Sequence, residues 1–269
     1  GVNATSGGLV GVSEGQVSGC RSSCDLTGSA SPQYLGGLAG RNTGSVTGSY
    51  ATGDVTGYSY VGGLIGLNNA GSVSSCNATG SVEGTGSYIG GLIGSSSGII
   101  TSCTASGTVA GDGSSIGGLI GNTSAGPYTI SGCSVASSCT VTSNGNPIIG
   151  VGGLIGSNSG HTVDDCHSLA AVVVNGTGTV NVGGLLGSND STVQNGSYAS
   201  GNVTAFNSSY VGGLIGYNTG GSVASCHYSA GTVTGGTNTG GLIGYNHNNG
   251  TATILIDSCR ASGNVSGGT

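Results

Sequence analysis

The sequence predicts an all-β chain: a parallel β-helix or β-solenoid, a β-arch-like stack of about nine rungs forming a single repeat domain over residues 1–269. Three observations predict it. A five-residue string, Gly-Gly-Leu-x-Gly with x apolar, starts at Gly7, Gly36, Gly62, Gly90, Gly117, Gly152, Gly183, Gly212 and Gly240. Successive starts lie 26 to 35 residues apart, in the range of repeat architectures and short of the ~40–50 residues of a propeller blade. Glycine supplies 61 of 269 residues, and at about 1 kcal/mol per helical position relative to alanine it removes helices. The formers that remain, Val, Ile, Thr and Tyr, favour strands.

Within each repeat the segments follow a fixed order. An apolar residue usually precedes the string (Val61, Ile89, Ile116, Val151, Val182, Val211), with Tyr34, Tyr60, Tyr88 or Tyr210 one place earlier. In the repeat beginning at Tyr60, three strand segments are expected, at 60–65, 72–76 and 78–82. Three such strands with their turns make one rung, and nine rungs spaced ~4.8 Å apart give a rod on the order of 40 Å long. Strand alternation puts Val61 and Ile65 on one face, Tyr60 and Leu64 on the other. Either that second apolar face packs on a neighbouring rod or sheet, or Gly62-Gly63 bends the chain and returns both sets to the core. The sequence leaves both open.

Thirteen to nineteen residues after the first glycine comes a block reading Cys-x-Ala-[Ser/Thr]-Gly-x-Val. It is clear at 76–82, 103–109 and 259–265, with Ser49 and Ser197 standing in the cysteine slot. The longest repeat carries its extra residues around Pro127 and between Cys133 and Pro147, which marks the loop side.

Of nine cysteines, seven are assigned to this ladder (Cys24, Cys76, Cys103, Cys133, Cys166, Cys226, Cys259) as buried thiols packing like small apolar residues, and Cys20 and Cys139 fall off it. Cys133–Cys139 and Cys20–Cys24 are the short-range disulfide candidates. The odd count leaves at least one thiol free or linked between chains. No Cys-x-x-Cys pair exists to form a zinc ribbon.

Three arginines against nine acids, with no lysine and a net charge of −6, exclude a nucleic-acid partner. No run of ~20 apolar residues spans a membrane. The tempting cluster is His161-Thr162-Val163-Asp164-Asp165-Cys166-His167. His167 fills a slot held elsewhere by Asn77, Thr104, Tyr198, His227 and Arg260, and the two aspartates fall where other repeats carry Ser or Ala. The cluster therefore reads as outward polar variation, and no catalytic, cofactor or metal residues are assigned. Ten Asn-x-Ser/Thr sequons, at Asn3, Asn77, Asn122, Asn175, Asn189, Asn195, Asn202, Asn207, Asn249 and Asn264, are candidate N-glycan acceptors on an exported chain.

Neither the start (Gly1-Val2-Asn3) nor the end (Gly263-Asn264-Val265) carries a polar cap. A chain that opens on glycine and lacks methionine reads as a processed product or a piece of a longer repeat protein. The repeated Gly-Leu-x-Gly string resembles the GLUG-motif repeat family of large bacterial and archaeal surface proteins over essentially the whole chain. The resemblance implies a cell-surface or secreted β-solenoid and brings no catalytic residues with it. The composition also resembles the resistant glycine-rich sheaths around some methanogenic archaea. The functional expectation is a structural subunit of a self-assembling extracellular sheath, surface layer or fibre. Its partners would be copies of itself, head to tail or side by side, with no enzymatic activity and no cofactor. The alternative is an adhesin or passenger stalk segment of a larger surface protein.

Overall fold

In the computed structural model, which describes residues 4–29, 31, 33–124, 126–145, 150–248, 250 and 254–267, the chain winds through nine turns of five short strands. Equivalent strands of successive turns pair in parallel, giving five nine-stranded sheets that run the length of the rod. The first turn uses Ala4–Gly7, Val10–Ser13, Gln16–Ser18, Arg21–Ser22 and Leu26–Thr27. The ninth uses Asn238–Gly240, Ile243–Asn246, Ile256–Asp257, Arg260–Ala261 and Asn264–Ser266. Each turn is thus one rung, and the rung count matches the sequence.

The rung has five strands where three were expected, because corners cut the expected segments. The segment at 60–65 breaks into Val61–Gly62 and Ile65–Asn68, that at 72–76 shortens to Ser72–Ser74, and that at 78–82 becomes Asn77–Ala78 and Val82–Gly84. One corner has a common backbone cause. The residue before the cysteine slot takes a left-handed φ in every turn: Gly19, Gly48, Ser75, Ser102, Gly132, Asp165, Gly196, Ser225 and Ser258. A left-handed residue ends the pleat and re-aims the next strand. Glycine fits there freely, and a serine or aspartate accepts a modest strain.

The other corner is the Gly-Gly-Leu arc, and it settles the question of the two apolar faces. Val61, Leu64 and Ile65 are all 0 % exposed, so Gly62-Gly63 turns Leu64 inward with Val61 and Ile65 and leaves half-buried Tyr60 on the outside. In-register columns fill the core, for example Val46, Val73, Ile100, Ile130, Val163, Val193 and Val223, each fully buried. Burying one such side chain stabilises by roughly 1.5–3 kcal/mol.

A second internal column is polar. Six residues after the first glycine of each string stands Ser13, Asn42, Asn68, Ser96, Thr123, Asn158, Asn189, Asn218 or Asn246. Asn42 Nδ2 donates to Asn68 Oδ1 at 2.8 Å, and Asn68 Nδ2 to Ser96 Oγ at 3.0 Å. Further along, Thr123 Oγ1 donates to Asn158 Oδ1 at 2.9 Å, and 2.8 Å amide bonds link Asn158 to Asn189, Asn189 to Asn218 and Asn218 to Asn246. The spare amide proton holds the next bend: Asn158 Nδ2 reaches His161 O at 2.7 Å and Asn218 Nδ2 reaches Gly221 O at 2.7 Å. Buried amides with every group paired rigidify a core instead of penalising it.

Candidate functional site

The cysteine slot forms a third column, and register fixes its members. Because Tyr50 pairs with Arg21 and Asn77, the slot runs Cys20, Ser49, Cys76, Cys103, Cys133, Cys166, Ser197, Cys226, Cys259. At six of the eight steps the backbone N–H of one rung donates to the sulfur or hydroxyl of the next, as in Cys20 N to Ser49 Oγ at 3.0 Å and Cys103 N to Cys133 Sγ at 3.4 Å. Cys20 is therefore on the ladder and Cys24 is not, the reverse of the sequence assignment. The block over 20–26 is Cys-Arg-Ser-Ser-Cys-Asp-Leu, so Cys24 occupies the glycine slot and Leu26 the valine slot. Cys139 occupies that same glycine slot, in line with Gly107 and Ala170, since Val141 pairs with Val109 and Val172.

All nine cysteines are free thiols, so neither candidate disulfide is formed in the structure. Burial pushes the Cys139 and Cys226 thiols up to about 12. Cys76 and Cys133 are pushed up too, first by hydrogen bonding to Cys103 and then by burial. A thiol held protonated and out of solvent is a poor nucleophile. On addition of iodoacetamide to the folded protein, exposed Cys24 is expected to react first. Cys139 and Cys226 are expected to react only on unfolding, at the rate of global opening. Mass spectrometry of the labelled peptides reads the order, and prompt labelling of Cys139 would contradict the buried column.

The His/Asp cluster is dispersed around the corner. Cys166 points into the core at 0 % exposure. His167 stacks outward on Tyr198, which stacks on His227, with ring centroids 4.9 and 5.0 Å apart. Asp165 is the left-handed corner residue. Among the described residues, no group of three or more His, Cys, Asp or Glu is placed to hold a metal ion.

His161 departs from the expected outward reading. It is 0 % exposed, lies 5.6 Å from the Tyr128 ring, and its Nε2 has no partner. Desolvation by burial lowers its pKa. The unfolded imidazole takes a proton below about 6.5 while the folded one resists it. The contribution is therefore complete above that value and is lost as pH falls towards the depressed folded pKa. His161→Gln is expected to flatten the fall in melting temperature between about pH 7 and 5; an unchanged slope would mean that another group carries the acid dependence.

The sequons separate by burial. Asn77, Asn175, Asn195, Asn202, Asn207 and Asn264 are exposed, and Asn122 is partly so. Asn189 is 1 % exposed with both ends of its amide engaged in the ladder, which withdraws it as a glycan acceptor. Asn3 and Asn249, like the Pro147 end of the long insertion, lie outside the described residues.

The two ends of the rod are the remaining feature. Each of the five sheets has one edge strand in the first turn and one in the ninth. Leu9, Val12, Leu255, Ile256 and Val265 are exposed there, at 42 to 53 %. Among the described residues, no helix is long and apolar enough to cross a membrane.

Residues 31–56, 57–83, 85–110 and 207–234 match the family model of Glug, the GLUG motif. These matches fall on the second, third, fourth and eighth turns. No curated protein and no solved structure matches the chain.

Proposed function

We propose that this GLUG-repeat protein is a non-catalytic structural rod of the cell exterior, a sheath, surface-layer or fibre subunit that stacks end to end on copies of itself. The observation that carries this reading is that the strands of the first turn and those of the ninth match in kind, column by column. An edge strand offers unpaired N–H and C=O groups to any matching strand. Placing a first turn on a ninth turn sets Val10 on Ile243, Ser13 on Asn246, Val17 on Ile256, Cys20 on Cys259 and Leu26 on Val265. These five columns then continue in kind, while the column of Leu35 and Val211 meets as Ser6 on Thr239. The contact is heterologous, so it need not close on itself. Exterior placement is supported by the family resemblance and by the six exposed sequons.

One contact opposes the stacking. Arg21 and Arg260 occupy the same outward column, and would meet as like charges. Salt screens such a pair, so association is expected to strengthen as ionic strength rises, and Arg260→Glu is expected to relieve the salt requirement. Negative-stain microscopy and sedimentation velocity of the purified protein read this out. Monodisperse short rods at every salt concentration would defeat self-assembly and favour the stalk segment of a larger surface protein, whose neighbouring repeats would cover the same edges.

A further inference from the structure

The Gly-Gly-Leu arc has a consequence on the outside of the rod. It folds the first two strands of each turn so closely that their outward side chains meet across it, as Asn181 Nδ2 does with Ser188 Oγ at 2.8 Å. The result is a longitudinal groove between two side-chain columns. One column runs Tyr34, Tyr60, Tyr88, Ser115, Gly150, Asn181, Tyr210. The other runs Arg41, Leu67, Ser95, Asn122, Ser157, Ser188, Tyr217, Tyr245. Large side chains line the groove at both ends, and small ones stand between them.

At the boundary between the stretch of small side chains and the aromatic end lies a cavity of about 240 Å³. Tyr217 forms one wall. Its ring is parallel to Tyr245 within 1°, with centroids 5.6 Å apart, and Tyr210 sits 5.1 Å away. On the other side, its neighbour in the column is Ser188, too small to cover a phenol ring, and the cavity occupies that space. Asn181, Asp190 and Thr219 supply polar walls. Asn181 is 8 % exposed, and its Oδ1 has no hydrogen-bond partner. A buried amide oxygen left unpaired costs about 1–3 kcal/mol, and a ligand hydroxyl would remove that cost.

An aromatic face beside an amide, a carboxylate and a hydroxyl is the donor–acceptor set for a pyranose, which is apolar on its C–H face and polar around its rim. We propose that this groove binds a neutral carbohydrate chain, with one sugar ring stacked on Tyr217 over Ser188 and its hydroxyls bonded to Asn181 and Asp190. The neutral class follows from Asp190 and the net charge of −6, which repel acidic sugars. The cavity lining runs on to Ser157 and Ser159 of the preceding turn, which gives a further sugar unit room along the axis.

The chain has no tryptophan and eleven tyrosines, so tyrosine fluorescence reports directly on the stack. Titration with cellotetraose, chitotetraose, mannotetraose and maltotetraose is expected to give a saturable change with at least one of them. Tyr217→Ala is expected to weaken that binding about tenfold or more. Tyr217→Phe keeps the stacking face and is expected to retain binding, and Tyr34→Ala, at the far end of the groove, is expected to leave it unchanged. Should Tyr217→Ala fail to fold, Ser188→Tyr, which fills the cavity and leaves Tyr217 in place, is expected to abolish binding. Saturation by none of the four sugars at ~1 mM, or equal binding by wild type and Ser188→Tyr, overturns the proposal. The readout does not depend on end-to-end association, so the two proposals fail separately.

Discussion

Gly183→Ala is expected to disrupt the middle of the rod, lowering stability by about 3 kcal/mol or more. The reason is contact, not backbone freedom, since Gly183 is not among the positive-φ residues. A Cβ at this position falls on the carbonyl of Leu186 in the same turn, and within 2.8 Å of Gly216 N and Leu214 O in the next. All three are backbone atoms held by the sheets, so nothing flexible can yield. The same geometry recurs at Gly62, where the Cβ meets Ile65 O and Gly94 N. The second glycine of the string approaches its counterpart one turn on, Gly63 against the carbonyl of Gly91. Thermal unfolding followed by circular dichroism measures the loss, and amide exchange locates it in the sixth to eighth turns. Gly15→Ala is the control. Its Cβ meets nothing within 4 Å, so it is expected to be neutral or to stabilise by about 0.4–1 kcal/mol through the unfolded chain. A wild-type melt for Gly183→Ala would mean that the arc is not packed as described.

Asn189→Asp is expected to make stability depend on pH in the opposite direction to His161. The wild-type amide donates to Asn218 Oδ1 at 2.8 Å and Ser191 O at 2.6 Å, and accepts from Asn158 Nδ2 at 2.8 Å. An ionised carboxylate keeps only the acceptor half, and aims charge at two oxygens in a site 1 % exposed. Burial and facing acceptors both favour the neutral acid, so the folded pKa rises above the unfolded value of ~3.9. The folded state then holds a proton that the unfolded chain releases. The variant's stability is best below about pH 4 and is lost as pH rises through the elevated folded pKa. At pH 7 the expected loss is about 3–5 kcal/mol, the scale for an uncompensated buried charge. Urea unfolding at acid and neutral pH tests it. Equal losses at both would show that the site admits water and that the ladder is not sealed.

Both variants probe features that the sequence displays without explaining. The period was legible because the same five residues recur, and repetition in a solenoid forces equivalent residues into register. That gave the all-β class, the nine turns, the inward Val and Ile columns and the outward slot of His167. The asparagine column was equally regular, at a constant six residues after the first glycine. It escaped notice because Asn, Ser and Thr in one slot look like a solvated turn until the slot is seen to be buried. Cys20 and Cys24 both satisfied the thirteen-to-nineteen spacing, and only strand pairing at Arg21 with Tyr50 chose between them.

The sequence by itself therefore determined the coil, its rung count and most of which side chains share a column, because a repeat carries its own alignment. The tertiary structure alone decided which way the columns at the corners face. It turned Leu64 of the Gly-Gly-Leu arc inward and kept Tyr60 outside, placed the amides inside, buried His161 and left a groove beside Tyr217. The cause is the corner: a two-residue strand ending in a left-handed residue or a glycine arc has no alternation to read, and its direction is set by backbone packing between neighbouring turns.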